Sequence, residues 1–166
     1  MGRALGYYEG PLREAIHRWK YEGRTYLTPL FGEWMTKAYS LYWEIGLFDL
    51  LIPVPLHPQR LRERGFNQAL LLVKELSHRI GTPYRKRILE KRKPTVPQVN
   101  LSGVEREKGV KGAFHLSEGA AVDGKAVLLV DDVYTTGATV NECAKVLLAG
   151  GADRVDVFTL SHAVLR

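Results

Sequence analysis

Residues 127–139, VLLVDDVYTTGAT, decide the fold of this chain. Four consecutive aliphatic residues open the stretch and predict a strand buried on both faces, as in a parallel sheet covered by helices. Two adjacent carboxylates, Asp131 and Asp132, follow the strand, and a short run of hydroxyls and glycine follows them. From Thr139 onward, apolar residues recur at helical spacing. The stretch therefore predicts a strand, an acidic pair, a small-residue loop and a helix, in that order.

This order of elements predicts a ligand site at the carboxyl end of a parallel strand, where open α/β sheets bind ligands. Backbone N–H groups at the start of the helix, together with the threonine hydroxyls of residues 135–139, suit a phosphate group. Gly137 lets the backbone turn and come close to that phosphate. The two carboxylates would repel a second phosphate, but they suit the vicinal hydroxyls of a sugar or a metal carried by the ligand. The residues themselves favour a phosphorylated ribose.

The same stretch resembles the 5-phosphoribosyl-1-pyrophosphate (PRPP) binding motif of type I phosphoribosyltransferases: aliphatic residues, Asp-Asp, two variable residues and Thr-Thr-Gly-small-Thr. It is not a Walker loop, because no Gly-Lys-Ser/Thr follows. The alternative is an ordinary βα turn with a capping threonine and two solvated aspartates. The resemblance implies that PRPP is bound by Asp131, Asp132, Val133, Tyr134, Thr135, Thr136, Gly137, Ala138 and Thr139.

The resemblance also implies the fold and the domain organisation. Type I phosphoribosyltransferases are α/β proteins with a mostly parallel central sheet, flanking helices and a small hood. In this chain we expect an N-terminal helical lobe or hood at residues 1–47. The phosphoribosyltransferase core is then expected at residues 48–166.

Length and composition are those of a soluble globular protein. The 166 residues are enough for one good core with a small lobe attached, and 45% of them are hydrophobic and 25% charged. No apolar run approaches the roughly 18–20 residues of a membrane span, and the first residues lack the apolar core of a secretory signal. The single cysteine, Cys143, excludes an intramolecular disulfide and a Cys-rich zinc site. These features predict a cytoplasmic protein.

The net charge of +6 suits a polyanionic ligand such as a sugar phosphate or pyrophosphate. It equally suits nucleic acid, and charge alone does not separate the two. A basic surface without a particular partner is also consistent with this composition.

Two amphipathic helices are predicted in the N-terminal part of the chain. Pro11 is well placed to start the first helix, whose apolar stripe includes Ile16 and Trp19, while Lys20 and other basic residues are expected to face elsewhere. The second helix carries aromatic residues for which core packing is favoured over lining a pocket. Acceptor specificity is expected in this lobe, at residues 7–42, and its chemistry is left open.

A second buried strand is predicted at residues 50–54, and an arginine-rich loop follows it. The segment PVPL at residues 53–56, Arg60, and the segment RGFNQ at residues 64–68 resemble the signature of the ComF family, a competence-associated branch of the phosphoribosyltransferases. Clustered guanidinium groups can chelate pyrophosphate oxygens in bidentate fashion. The expected pyrophosphate loop comprises Pro55, Leu56, His57, Arg60 and Arg64. Solvated surface charge is the alternative, which is favoured for Arg62 but not for Arg64.

A third strand is predicted at residues 84–89, and a long polar connection at residues 90–111. Type I phosphoribosyltransferases have a loop at this point that closes over the substrate and excludes water. Gln98, Arg106 and the segment KGAF at residues 111–114 also match the ComF pattern. The alternative is an inert surface loop. Further on, a last strand at residues 155–160 would bring His162 near the site, as a candidate only.

The resemblance implies a reaction in which a nitrogen nucleophile replaces pyrophosphate at the anomeric carbon of PRPP. Asp131 and Asp132 would bind the ribose hydroxyls and offset positive charge that develops on the ring. Arg64, with Arg106 or Lys111, would stabilise the departing pyrophosphate. Magnesium is the expected cofactor, held mainly by PRPP oxygens and water and not by direct protein ligands.

Two classes of function remain open at this point. The first is a PRPP-dependent transferase, although Thr135 stands where some purine-salvage members have an aspartate as general base, which weakens hypoxanthine or guanine as acceptor. The second is a non-catalytic protein, either a PRPP-sensing regulator or a competence factor that handles single-stranded DNA. A homodimer is expected by analogy only. Many ComF-like proteins begin with a zinc-binding ribbon, and this sequence has no such segment.

Overall fold

Four strands of the chain form one parallel sheet, and a pair of short strands lies outside it. The structure is a computed structural model that describes residues 1–93 and 109–163. Its elements are β1 (Gly2–Tyr7), α1 (Gly10–Tyr21), a 3-10 turn (Thr25–Leu27), α2 (Thr28–Tyr42), β2 (Leu50–Pro53), α3 (Pro58–Arg64), α4 (Gln68–Ile80), β3 (Leu89–Lys91), β4 (Phe114–Leu116), β5 (Ala126–Tyr134), α5 (Ala138–Ala149) and β6 (Arg154–His162).

The main sheet has the strand order β1-β6-β5-β2, and every neighbouring pair is parallel. Strand β5 lies inside this sheet, and residues 127–130 are fully buried. The unbroken aliphatic run explains this burial, because a central strand of a parallel sheet needs apolar side chains on both faces. The predicted α/β fold with a mostly parallel central sheet is confirmed.

Two hydrophobic clusters cover the two faces of the sheet. Val127 and Leu129 pack into one cluster with α5 and the β3–β4 pair, whereas Leu128 and Val130 pack into the other with α1, α2 and α4. Alternate residues of a strand point to opposite faces, so one run of four residues contributes to both clusters. Helices therefore pack against both faces of β5, and this packing fixes the position of its carboxyl end.

The arginine-rich loop differs from its prediction, because part of it is helical. Helix α3 begins with Pro58, its N-cap residue His57 accepts a hydrogen bond from the backbone N–H of Gln59 over 3.3 Å, and Gly65 ends it with φ of 82°. Proline at the start and a left-handed glycine after the end are standard helix boundaries. The helix buries none of its residues, so its sequence has no apolar periodicity from which a helix could be predicted.

The predicted third strand at residues 84–89 is wrong in its bounds. Tyr84 forms only an isolated parallel bridge with Leu51 of β2. The strand that follows, β3, pairs in antiparallel fashion with β4, apart from the main sheet. The polar residues between Tyr84 and Ile88 offer no apolar face for a strand that would have to be buried there.

The N-terminal part of the chain contributes to the sheet as well as to the helical layer. Strand β1 forms the edge next to β6, and α2 packs on α4. The boundary between a lobe at residues 1–47 and a core at residues 48–166 stays a prediction. In residues 1–93 and 109–163, no helix is both long enough and apolar enough to cross a bilayer.

Candidate functional site

A cleft of about 670 Å³ opens at the carboxyl ends of β2 and β5. The two strands are parallel neighbours, so their carboxyl ends meet at the same edge of the sheet. The volume is that of a small-molecule site. The structure brings most of the predicted site residues together here: the cleft is lined by Pro55, Leu56, His57, Arg60, Arg64, Asp131, Asp132, Val133, Tyr134, Thr135, Gly137 and Thr139.

The acidic pair lies near the carboxyl end of β5, inside the cleft. The backbone N–H of Asp132 donates to Oδ1 of Asp131 over 2.9 Å, which orients the Asp131 carboxyl group. Burial, and then the negative charge of Asp132, raise the pKa of Asp131 to about 7, although this hydrogen bond and the ammonium groups of Lys20 and Lys91 oppose the shift. Near neutral pH the Asp131 carboxyl group is therefore present in both its protonated and its ionised form.

Lys20 of α1 is a site residue that sequence reasoning missed. Its Nζ lies 2.7 Å from Oδ2 of Asp132, and only 13% and 12% of the two side chains are exposed. Burial disfavours the charge on Lys20, but the charge and hydrogen bond of Asp132 outweigh it, so the pKa of Lys20 is raised. The expectation that Lys20 faces elsewhere is wrong. A signal was present, because Lys20 follows the buried Ile16 by four positions and so shares its helix face.

The small-residue turn between β5 and α5 forms the floor of the cleft. Gly137 adopts φ of 78°, and a Cβ atom there would come within 2.3 Å of the Tyr134 hydroxyl. Thr136 stabilises the turn, since its Oγ1 accepts from the Ala138 N–H over 3.3 Å. Helix α5 begins at Ala138, and its first N–H groups have no carbonyl partner within the helix. His162 packs edge-on against Tyr134, with ring centroids 5.1 Å apart.

Arg60 and Arg64, the arginines of the predicted pyrophosphate loop, also line the cleft, and this part of the lining is called the arginine wall. Arg60 is paired with Glu63 over 2.9 Å at the surface, and the Arg64 guanidinium stacks over Tyr21 of α1, 5.3 Å from the ring centroid. Asn67 fixes this wall: its Nδ2 donates to the Val54 carbonyl over 3.0 Å, and its Oδ1 caps α4 by accepting from the Leu70 N–H over 3.3 Å. In the sequence, Asn67 is followed by an apolar stripe over residues 69–80, which predicts a helix capped by Asn67, and the structure confirms this cap.

Lys91 and Gln68 also line the cleft, and neither was predicted as a site residue. Lys91 at the end of β3 reaches it, and burial lowers the pKa of this lysine. Gln68, the first residue of α4, is 2% exposed, and its Nε2 has no hydrogen-bond partner among the described residues. The sequence placed Lys91 in a polar connection, and Gln68 appeared only as part of the RGFNQ segment. A buried amide donor facing a cleft suits a ligand oxygen.

The two cations expected from the long connection are placed differently. Lys111 lines a separate depression beside α5, together with Glu142 and Lys145. Its part in pyrophosphate binding stays a prediction. Arg106, like Gln98, lies outside the described residues, so the structure places neither of them.

Comparisons with known proteins agree with this architecture. Residues 67–162 match the model of the phosphoribosyl transferase domain family. The chain is 33% identical over 163 residues to Competence protein F of Haemophilus influenzae, covering 96% of this chain and 71% of that protein. It is also 33% identical over 160 residues to the DNA utilization protein YhgH of Salmonella typhi, covering 95% of this chain and 70% of that protein.

A solved structure shows the same fold. The glutamine PRPP amidotransferase of B. subtilis, complexed with ADP and GMP, superposes with a TM-score of 0.53 at 22% identity over 80% of this chain and 26% of that chain. At this identity the likeness concerns the fold alone. The family match includes β5, the acidic pair and the turn into α5. The chain therefore belongs to the ComF family of competence-associated proteins and carries its type I phosphoribosyltransferase domain.

Proposed function

We propose that the cleft binds PRPP as its magnesium complex and that the protein transfers the phosphoribosyl group to a nitrogen nucleophile. One observation carries this proposal: the acidic pair of β5, the Gly137 turn at the start of α5 and Arg64 all line the same cleft. A ribose phosphate needs both an anion site and acceptors for its hydroxyl groups. The fold, the family and the cleft support the same ligand.

The roles of these residues follow from their chemistry. The backbone N–H groups and hydroxyls of residues 135–139 are assigned to the 5′-phosphate, because a helix start favours a phosphate dianion. Asp131 and Asp132 are assigned to the ribose hydroxyls. Arg60 and Arg64 are assigned to the pyrophosphate, since guanidinium groups bind phosphate oxygens in bidentate fashion. Gln68 adds a neutral donor within the same cleft.

The carboxylates fit magnesium only in a supporting role. Oxygen ligands suit this ion, but one oxygen of Asp132 is already bound to Lys20, which leaves few protein oxygens to hold it. PRPP oxygens and water are therefore assigned as its main ligands. When bound, the ion would neutralise charge on the leaving pyrophosphate.

In the proposed reaction the bond from the anomeric carbon to the pyrophosphate oxygen breaks, and pyrophosphate leaves with the electron pair. A bond from the same carbon to the nitrogen nucleophile forms, and the nucleophile passes its proton to water or to the departing pyrophosphate. Asp131 and Asp132 offset the positive charge that develops on the ribose ring. Thr135 is a poor base at neutral pH, so we assign it to phosphate binding and expect an acceptor that needs little activation.

Release of pyrophosphate tests the transferase proposal. Purified protein is incubated with Mg-PRPP and one acceptor at a time, and pyrophosphate is measured over time. The acceptors are ammonia, glutamine, adenine, guanine, uracil and orotate. We expect release that depends on one acceptor and that an Asp131→Asn/Asp132→Asn variant lacks. Tight binding of PRPP without acceptor-dependent release in a broader set of nitrogen nucleophiles would contradict catalysis and favour a PRPP sensor.

The names of the relatives support a second candidate, a non-catalytic competence protein that handles single-stranded DNA. The net charge of +6 is compatible with this candidate, as it is with a polyanionic small ligand. Fluorescence anisotropy with a labelled single-stranded oligonucleotide at several salt concentrations tests it. Binding that weakens steeply with salt supports this function, and no binding at low salt contradicts it. A homodimer remains a proposal by analogy and is tested by sedimentation of the purified chain.

A further inference from the structure

The Lys20–Asp132 ion pair joins two distant parts of the chain across the cleft. Lys20 lies at the end of α1, and Asp132 lies at the end of β5. Both side chains are largely buried, and their charged atoms are 2.7 Å apart. A buried ion pair is costly to form because both charges lose water, so stability alone does not account for its presence at a cleft.

Helix α1 is fixed in a position that points Lys20 at the acidic pair. Trp19, the preceding residue, is fully buried and donates from its indole N–H to Thr28 Oγ1 over 3.0 Å. Its ring packs edge-on against Phe31 of α2, with centroids 5.1 Å apart. The next residue, Tyr21, lies beneath the Arg64 guanidinium. The end of α1 therefore contacts the core, the acidic pair and the arginine wall at once.

The charges around the acidic pair come from several elements. Lys20 of α1 and Lys91 of β3 are the nearby cations that act on Asp131, and Asp132 is the nearby anion. Cys143 of α5 faces the same region, and Arg60 of α3 acts on Lys91. Without Lys20, two adjacent carboxyl groups would share one partly buried site, where like charges resist ionisation together.

We propose that Lys20 is a positioning residue that holds Asp132 as an oriented carboxylate. Helix α1 would thereby form part of the phosphoribosyl site. The ammonium group binds Oδ2 of Asp132, and Oδ1 makes no hydrogen bond to the described residues. That second oxygen is left to accept from a ligand hydroxyl. The identity of the ligand rests on the proposed function, whereas the ion pair does not.

Binding of Mg-PRPP, measured by calorimetry, tests the role in four chains: wild type, Lys20→Arg, Lys20→Met and Lys37→Met. Lys37 is the matched control because it also pairs with a glutamate, Glu33, but on the exposed face of α2. We expect Lys20→Met to weaken binding at least about tenfold, as loss of a buried charge partner should. Lys20→Arg keeps the charge, so its affinity for Mg-PRPP should lie within a few-fold of that of wild type. The control, Lys37→Met, should have the affinity of wild type.

A double-mutant cycle separates positioning from direct contact with the ligand. If Lys20 acts through Asp132, Lys20→Met should change affinity little in a chain that already carries Asp132→Asn. An equal weakening in that background would mean that Lys20 touches the ligand itself, and it would overturn the positioning role. The double variant removes both charges, so it lacks the unpaired buried carboxylate that Lys20→Met alone would leave.

Titration of the ligand-free protein tests the ion pair without PRPP. The carboxyl carbon of Asp131 is followed by NMR against pH in wild type, Lys20→Arg and Lys20→Met, with aspartate labelled with carbon-13. We expect its midpoint to rise by about one pH unit or more in Lys20→Met and to stay near wild type in Lys20→Arg. An unchanged midpoint in Lys20→Met would overturn the ion pair. A normal titration shift with no binding of Mg-PRPP by wild type would instead overturn the proposed function.

Discussion

At the scale of single residues, Asp131 makes the stability of the fold depend on pH. Its pKa is raised to about 7 by burial and by Asp132, whereas the unfolded chain should titrate near the ordinary value of about 3.9. Between these values the folded protein holds a proton that the unfolded chain releases. The stabilisation is therefore complete below about pH 4 and is lost as pH rises through about 7, by at most about 1.4 kcal/mol per pH unit.

We expect Asp131→Asn to remove this contribution, because the amide cannot ionise. Urea unfolding from pH 5 to 8 should show a flatter pH dependence for the variant than for wild type. At pH 8 the variant should be at least as stable, since it lacks a partly buried charge beside Asp132. Asp153→Asn, at an exposed carboxylate, should keep the wild-type slope. The same pH dependence of the free energy of unfolding in wild type and Asp131→Asn would contradict its assignment to Asp131.

Substitution of Gln68 should change the stability of the fold and the affinity for the ligand in opposite directions. Its buried Nε2 has no partner among the described residues, which costs about 1–3 kcal/mol. Gln68→Met keeps the shape of the side chain and removes the amide, so the free energy of unfolding should rise by about 1 kcal/mol. Affinity for Mg-PRPP should fall about tenfold if the amide serves the ligand.

Gln59→Met is the matched control for Gln68→Met. Gln59 is exposed on α3 and donates to Glu63 over 3.1 Å, so both effects should be small there. Unfolding in urea and calorimetric titration measure the two quantities. A Gln68→Met chain that is less stable and binds as wild type would show that the amide has a structural partner instead.

At the scale of elements, the turn from β5 into α5 depends on Gly137. Its positive φ disfavours any residue with a Cβ, and that Cβ would also collide with the Tyr134 ring. Gly119 has a similar φ of 73°, but no atom lies within 4 Å of its Cβ position. Gly119→Ala should therefore cost the conformational strain of about 1–2 kcal/mol alone.

Gly137→Ala should cost more stability than Gly119→Ala, and it alone should weaken binding of Mg-PRPP. Thermal unfolding and calorimetry compare the two variants. Equal losses of stability would mean that Tyr134 moves aside freely. Unchanged affinity in Gly137→Ala would contradict the assignment of the phosphate to this turn.

The elements that sequence predicted best are those with a strong local signal. Strand β5 was marked by its aliphatic run, and α4 by its apolar stripe with Asn67 as the cap. Helix α3 was missed because it has no buried face, although Pro58 and Gly65 marked its ends. The strand predicted at residues 84–89 was wrong because the polar residues after Tyr84 offer no apolar face, and only Tyr84 forms a bridge, to Leu51.

At the scale of the whole molecule, the acidic pair and the Gly137 turn were predictable because they lie within thirteen consecutive residues. Lys20 and Lys91 were not, because contacts far apart in sequence bring them to the cleft. The position of α1 depends on how Trp19 and Phe31 pack in the cluster that covers one face of the sheet. No local pattern encodes that packing, so the helix face of Lys20 was its only sequence signal.

The parts of the cleft meet only when the sheet and both helical layers are assembled. Arg64 stacks on Tyr21, Lys20 pairs with Asp132, and Asn67 ties α4 to the end of β2. A ligand that spans the arginine wall and the acidic pair should therefore stabilise the whole domain, because it binds the folded state only. Its binding is the central claim.

Calorimetric titration with PRPP and magnesium, of wild type beside Asp131→Asn/Asp132→Asn, tests that claim most directly. The asparagine pair keeps the shape of the site and removes the carboxylates that are assigned to the ribose hydroxyls. We expect saturable binding with one site per chain in wild type and loss of that binding in the folded variant. A folded wild type that gives no heat of binding and no thermal stabilisation with Mg-PRPP would contradict a phosphoribosyl site in this cleft.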